Sequence, residues 1–249
     1  MDARADRLEE APFAVRERRL VAHGHLVVLD GPPLDHWTDD RLHAALGRAL
    51  AASDHADALP MGPPRRAAFL SGRHALRVAL AEVAPPLRDV PLPRDSAGAP
   101  VLPPGVIGSI SHKGVRAVAL ADRRRAHVRY DALGVDVEAF IPRAPTAPDI
   151  ARKVLTDAER AAVASLEGAM RDRAVLVRFS LKEALYKAVA PLAGRWIGFQ
   201  EAEIHMTDDG RAIIEHRIAE VHDAGLALET WWEVDGERVL TSVRATSRE

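Results

Sequence analysis

Hydrophobic positions along the chain change period several times, and the changes predict a run of elements. Residues 21–30 are a short apolar run ended by Gly31-Pro32-Pro33 and read as a strand. Over residues 39–52, Leu42, Leu46 and Leu50 recur every fourth position, the spacing of one helix face. After the Pro60-to-Pro64 breaker, residues 65–83 carry helical periodicity through Phe69, Leu70, Leu76 and Leu80, and Pro85-Pro86 stops it. Prolines and glycines over 85–105 predict an irregular loop. Two short strands follow, 106–110 and 115–121, about a turn at Ser111-His112-Lys113-Gly114, with a third at 133–138. A helix over 156–166 opens on a capping box, Thr156 facing Glu159. A longer helix, 171–190, ends near Pro191 and Gly194. Residues 196–245 alternate in strand fashion around turns at Asp208-Asp209-Gly210 and Asp235-Gly236.

The rhythm is strand–helix–helix–strands, twice. It predicts an α+β fold of two similar halves, 1–130 and 131–249, although no repeat of individual residues accompanies it. A net charge of −2 means that any binding of phosphate comes from a local cluster, and it argues against a nucleic-acid partner. The absence of cysteine excludes disulfides, thiolate metal sites and cysteine nucleophiles. The charged start, MDARADRLEEAPF, lacks the apolar core of a secretory signal, and no run approaches the roughly 18 apolar residues of a membrane span. The expectation is a cytoplasmic protein with no membrane partner.

Two acidic segments carry candidate chemistry. In Gly134-Val135-Asp136-Val137-Glu138, strand alternation sends Asp136 and Glu138 to one face and the valines to the other. Two carboxylates on one face repel unless a cation lies between them, and hard oxygen donors suit Mg²⁺. An acidic, exposed strand edge explains the same pattern. Phe179-Ser180-Leu181-Lys182-Glu183-Ala184-Leu185-Tyr186-Lys187 sets three charges among apolar residues. Ser180 with Glu183 reads as a capping box, or Glu183 with Lys187 as a surface pair; apolar Val175, Leu176 and Phe179 upstream argue that the helix begins earlier.

Basic and hydroxyl residues form a second set. Arg65 and Arg73 lie eight residues apart, a little over two turns, on one helix face. Guanidinium forks match phosphate oxygens, though surface arginines on helices are common. Gly108-Ser109-Ile110-Ser111-His112 offers close backbone approach and short donors, and Arg94 precedes it in the loop. The remaining histidines match no metal-ligand spacing. Arg123-Arg124-Arg125 opens a basic stretch over 122–130, a docking surface or a solvated hairpin.

Taken in order, these segments resemble the enterobactin- and surfactin-type 4′-phosphopantetheinyl transferases. RRAAFLSGR (65–73) is similar to the family's arginine helix, and GAPVLPPGVIGSISH (98–112) to its Pro-Gly-Ser-x-Ser-His loop. GVDVE (134–138) resembles its metal strand, FSLKEALYKA (179–188) its signature helix, and RWIGFQEAEI (195–204) its following strand. Phe179 stands where many members have tryptophan, Ala68 where many have glutamate, and the triple arginine has no counterpart.

The resemblance implies two pseudo-symmetric α+β halves with the active site in the cleft between them. The N-terminal half would bind the coenzyme A nucleotide, and the C-terminal half would carry the metal site and catalytic helix. It implies transfer of phosphopantetheine from coenzyme A to a serine of an apo acyl or peptidyl carrier protein, with adenosine 3′,5′-bisphosphate released. Arg65, Arg73, Arg94, Ser111 and His112 would hold the nucleotide and its phosphates. Asp136, Glu138 and Glu183 would bind Mg²⁺; Lys182 and Lys187 would contact phosphates or the leaving group, and Glu183 would also assist in deprotonating the serine. The enterobactin-like motifs imply secondary metabolism, siderophores included, and two halves in one chain imply a monomer. The competing readings are a coenzyme A binder that has lost catalysis and a Mg²⁺-dependent nucleotide hydrolase.

Overall fold

A computed structural model describes residues 13–31, 52–140, 149–207, 211–236 and 238–247. The helix expected over 39–52 lies outside these residues except for Ala52, and so does the turn at 208–210. Two compact units divide between Arg123 and Arg124. The seven residues before the boundary expected from sequence are tied into the second unit. Arg125 pairs with Glu229, and the Ser247 hydroxyl accepts from the backbone nitrogens of Arg129 and Tyr130.

The first unit is a four-stranded antiparallel sheet in the order β1-β2-β4-β3, from β1 (Ala14–Val21), β2 (Gly24–Asp30), β3 (Val106–Lys113) and β4 (Arg116–Arg123). The apolar run read as one strand is the second arm of a hairpin, turned at Gly24 with φ of 134°. β1 escaped the sequence reading because Arg16, Glu17, Arg18 and Arg19 give it an edge strand's polar pattern. A short helix, α1 (Ala52–Ala58), precedes the long α2 (Pro63–Val83). Pro63 and Pro64 occupy the first turn of α2, where a missing N–H costs nothing. Leu70, Leu76 and Leu80 of α2 are buried with Val27, Leu29, Ala117 and Ala119 of the sheet.

In the second unit β5 (Asp131–Ala139) pairs with β9 (Arg238–Ser247), and β9 with β8 (Leu226–Asp235). A separate hairpin joins β6 (Ala202–Met206) and β7 (Ala212–His216). Short helices α3 (Ala151–Val154) and α4 (Asp157–Ala162) lead to the long α5 (Gly168–Ala193), and α6 (Ala219–Asp223) precedes β8. α5 runs through Pro191 and ends at Gly194, whose φ of 64° gives a left-handed cap. Leu181, Ala184, Leu185 and Ala188 of α5 are buried in one cluster with Val239, Val243 and Ala245 of β9. Each unit therefore sets one long helix against an antiparallel sheet, the mixed α+β architecture expected from sequence. No helix among the described residues is long and apolar enough to cross a membrane.

Candidate active site

Asp136 lies on β5 with 5% of its surface exposed, and both of its carboxylate oxygens are held. Ser180 Oγ donates to Oδ2 at 2.8 Å, and Lys187 Nζ donates to Oδ1 at 2.9 Å. Ser180 Oγ also lies 2.8 Å from Thr241 Oγ1, on the β9 residue that faces Asp136 in the ladder. Lys187 Nζ further donates to the Val135 carbonyl at 2.9 Å. Ser180 is thus an interior residue of α5 that anchors Asp136. It is not a helix cap, because α5 begins at Gly168.

Glu183, on the turn after Ser180, is half-buried. Burial raises its pKa above the usual carboxylate value; the Asp136 and Glu138 charges push the same way, and Lys187 opposes them. Glu183 is therefore near enough to feel the charges of both other carboxylates singled out from sequence. All three are oxygen donors, the kind that suits a hard divalent cation such as Mg²⁺, but among the described residues their ligand atoms do not gather within 4.8 Å of one another.

Lys182 has a different task from the phosphate contact that the resemblance implies. The residue is 3% exposed, and Nζ donates to the Val154 carbonyl at 2.9 Å, Glu159 Oε2 at 2.6 Å and the Phe199 carbonyl at 2.9 Å. An ammonium has three N–H donors, and these three oxygens take them all. Burial lowers the lysine's pKa, with Glu159 opposing. Glu159 completes the expected capping box with Thr156, and its Oε1 accepts from the Ile204 nitrogen at 2.8 Å. Lys182 and Glu159 together join α4, α5 and β6 as structural elements.

Beside Glu183 a shallow recess, with room for about one water molecule, is lined mainly by apolar groups, among them Tyr186, Trp196, Ile197 and Phe199. Trp196 is 68% exposed although its ring centroid lies 4.9 Å from that of Tyr186. The sequence reading missed this recess.

In the first unit Arg73 is buried, 1% exposed. Its Nη1 donates to the Leu92 carbonyl at 2.8 Å, and its Nε lies 3.9 Å from Asp54 Oδ1. The guanidinium groups of Arg73 and Arg94 both approach the Phe69 ring, at 5.0 and 5.6 Å from its centroid. Burial lowers the Arg73 pKa, Asp54 and Asp57 oppose this, and the Arg77 and Arg94 charges lower it further. Among the described residues its Nη2 is buried without a hydrogen-bond partner. Three guanidinium groups, of Arg73, Arg77 and Arg94, are gathered here with Asp54 and Asp57, and Asp54 Oδ1 is likewise buried without a hydrogen-bond partner among the described residues.

Arg77 and Asp54 were not anticipated. Arg77 donates to Asp54 Oδ2 through Nε at 2.9 Å and Nη2 at 2.7 Å, and its Nη1 reaches the carbonyls of Arg88 and Val90. Arg94 sits in a small loop closed by its bridge to Pro100, and Asp95 Oδ1 accepts from the nitrogens of Ala97 and Ala99. Arg65 stands exposed in the first turn of α2.

β3 runs on through Lys113, so Ser111 and His112 are strand residues paired with Val118 and Ala117, and the turn falls at Gly114. Ser111 is buried and His112 exposed. The basic stretch is partly engaged within the fold. Arg125 pairs with Glu229 through two bonds, Arg123 reaches the Val83 carbonyl, and Arg124 that of Arg129.

Comparison with known proteins follows the same segments. Residues 132–241 match the model of the 4′-phosphopantetheinyl transferase superfamily, and residues 55–122 that of the 4′-phosphopantetheinyl transferase N-terminal domain. The chain is 37% identical over 150 residues to the 4′-phosphopantetheinyl transferase Npt of Nocardia iowensis, covering 59% of this chain and 63% of that protein. It is 32% identical over 188 residues to PptT of Mycobacterium tuberculosis, covering 72% and 78% respectively. Enterobactin synthase component D of Salmonella typhi is 32% identical over 190 residues, covering 75% of each. With both units matched and the carboxylates of β5 and α5 inside the first match, the chain belongs to the 4′-phosphopantetheinyl transferase family.

Proposed function

We propose that this protein transfers 4′-phosphopantetheine from coenzyme A to a serine hydroxyl of an acyl or peptidyl carrier protein, releasing adenosine 3′,5′-bisphosphate. The observation that carries the proposal is the buried Asp136 of β5, held by Ser180 and Lys187 of α5 on the helix that also bears Glu183, in a chain of this family. Asp136, Glu138 and Glu183 would hold Mg²⁺, which when bound supplies neutralising charge to a pyrophosphate.

Lys187, fixed against Asp136 and the Val135 carbonyl, brings a positive charge to the reacting phosphate. Glu183, besides holding the metal, would assist in taking the serine proton as the hydroxyl attacks. In the first unit Arg65, Arg73 and Arg94, with Ser111 and His112, would hold the nucleotide phosphates; the unpartnered Nη2 of Arg73 supports this. Transfer of this kind depends mainly on positioning and charge neutralisation.

The test is intact-mass spectrometry of apo carrier proteins mixed with this protein, coenzyme A and Mg²⁺. A mass gain of one phosphopantetheine, abolished by EDTA and by Glu183→Ala, supports the reading. No gain on any carrier while coenzyme A binds would mean a binder without catalysis. Steady breakdown of coenzyme A without a gain would mean a hydrolase.

A further inference from the structure

A second set of ligating side chains lies on the β6–β7 hairpin, outside the site just described. Glu203 and His205, two residues apart on β6, share one face, and Glu215 of β7 faces Glu203 directly in the ladder. Two glutamates opposite one another destabilise a hairpin unless positive charge joins them. The imidazole supplies the third donor: its Nε2 lies 3.1 Å from Glu203 Oε1 and 3.5 Å from Glu215 Oε2. One ligand atom from each residue falls within 4.8 Å of the others.

Three features distinguish this cluster from an ordinary surface ion pair. First, among the described residues Nε2 is closed off from solvent yet makes no hydrogen bond to either carboxylate, so it points at the space between them. Second, donors about 2.1 Å from a tetrahedral ion stand roughly 3.4 Å apart, close to the two imidazole–carboxylate spacings of 3.1 and 3.5 Å. Third, Glu203 is oriented from behind, since Thr156 Oγ1 donates to its Oε2 at 2.8 Å and leaves Oε1 directed at the imidazole. The His205 side chain is 41% exposed, so the cluster lies at the protein surface.

We propose that Glu203, His205 and Glu215 form a second metal site that takes a zinc-class divalent ion. One nitrogen and two carboxylate oxygens select such an ion over Mg²⁺, which prefers oxygen alone. Three protein ligands leave the fourth position to water or another donor. The sequence reading set His205 aside with the other histidines, because its partner Glu215 lies across the ladder. The proposal does not depend on the transfer reaction.

The test uses the full chain in saturating Mg²⁺, titrated with Co²⁺ and read by visible ligand-field absorption, with Zn²⁺ as competitor. One equivalent of Co²⁺ should bind, and Zn²⁺ should displace it. His205→Gln and Glu215→Gln should each weaken binding at least about tenfold, with melting temperatures in Mg²⁺ no lower than the parent's, while Glu183→Gln should leave the spectrum intact. Wild-type protein that gives no spectrum, a spectrum that survives His205→Gln and Glu215→Gln, or one lost with Glu183→Gln would each overturn the site.

Discussion

Gly134 of β5 lies directly against the Ala184 carbonyl of α5. A Cβ at Gly134 would fall within that oxygen and 2.9 Å from the Ala188 nitrogen. Helix backbone cannot yield as a flexible side chain can, so this glycine sets how closely the strand bearing Asp136 approaches the helix bearing Glu183. Gly134→Ala should force the two elements apart, costing about 3 kcal/mol of stability. Transfer activity should fall even at temperatures where the variant stays folded. Urea unfolding midpoints together with initial rates on an apo carrier check this; a variant as stable and active as the parent would show that the contact is not needed.

Lys182 and Glu159 form a buried ion pair at 2.6 Å, with side chains 2% and 1% exposed. Lys182→Met leaves Glu159 charged without its partner and should cost roughly 3–5 kcal/mol. In the fraction that stays folded, KM for coenzyme A should stay near the parent value, because the lost ammonium faces only Val154, Glu159 and Phe199. Lys187→Ala should behave in the opposite way, lowering kcat about a hundredfold or more with a smaller loss of stability. Unfolding midpoints and steady-state kinetics on both variants separate the roles. A Lys182→Met protein of parental stability with a raised KM would return Lys182 to the phosphate site.

Glu183 binds its proton more tightly in the folded than in the unfolded chain, because of burial and its acidic neighbours. Its contribution to stability is therefore greatest at acid pH. It is lost as pH rises from the ordinary carboxylate value through the folded pKa, and is level above that. Glu183→Gln removes this loss. In EDTA the variant should melt above the parent at neutral pH, with the gap closing as pH falls toward about 4.5. Added Mg²⁺ should reverse the order, raising the parent's melting temperature far more than the variant's. Melting curves over a pH series, with and without Mg²⁺, read the outcome, and an equal Mg²⁺ shift in both proteins would remove Glu183 from the ligand set.

Much of this arrangement was legible in the sequence because it rests on local periodicity. Alternation along β5 puts Asp136 and Glu138 on one face, and helical spacing brings Ser180, Glu183 and Lys187 to one side of α5. What stayed hidden depends on contacts between distant segments. Nothing near Lys182 in the sequence says that Glu159, 23 residues earlier, will enclose it. The polar face of β1 concealed a strand that only its pairing with β2 defines. In the same way Asp54 and Arg77 are 23 residues apart, and only the packing of α1 on α2 makes them partners.

The arginines of the first unit provide the last prediction, because sequence gave Arg65 and Arg73 the same task while their surroundings differ. Arg65 is exposed in the first turn of α2, so Arg65→Ala should leave the melting temperature unchanged. If it holds a phosphate of coenzyme A, KM should rise by roughly tenfold, equivalent to one charge-assisted hydrogen bond. Arg73 is enclosed by Leu92, Phe69 and Asp54, so Arg73→Ala removes a buried cation from beside a buried carboxylate. That change should cost about 3 kcal/mol or more before any effect on binding appears. Arg73→Lys separates the two contributions. A lysine keeps the charge near Asp54 but lacks the second guanidinium nitrogen, so stability should largely recover while KM for coenzyme A stays high. Thermal melts and KM values on the three variants are the check, and recovery of both quantities by Arg73→Lys would show that the unpartnered Nη2 takes no phosphate.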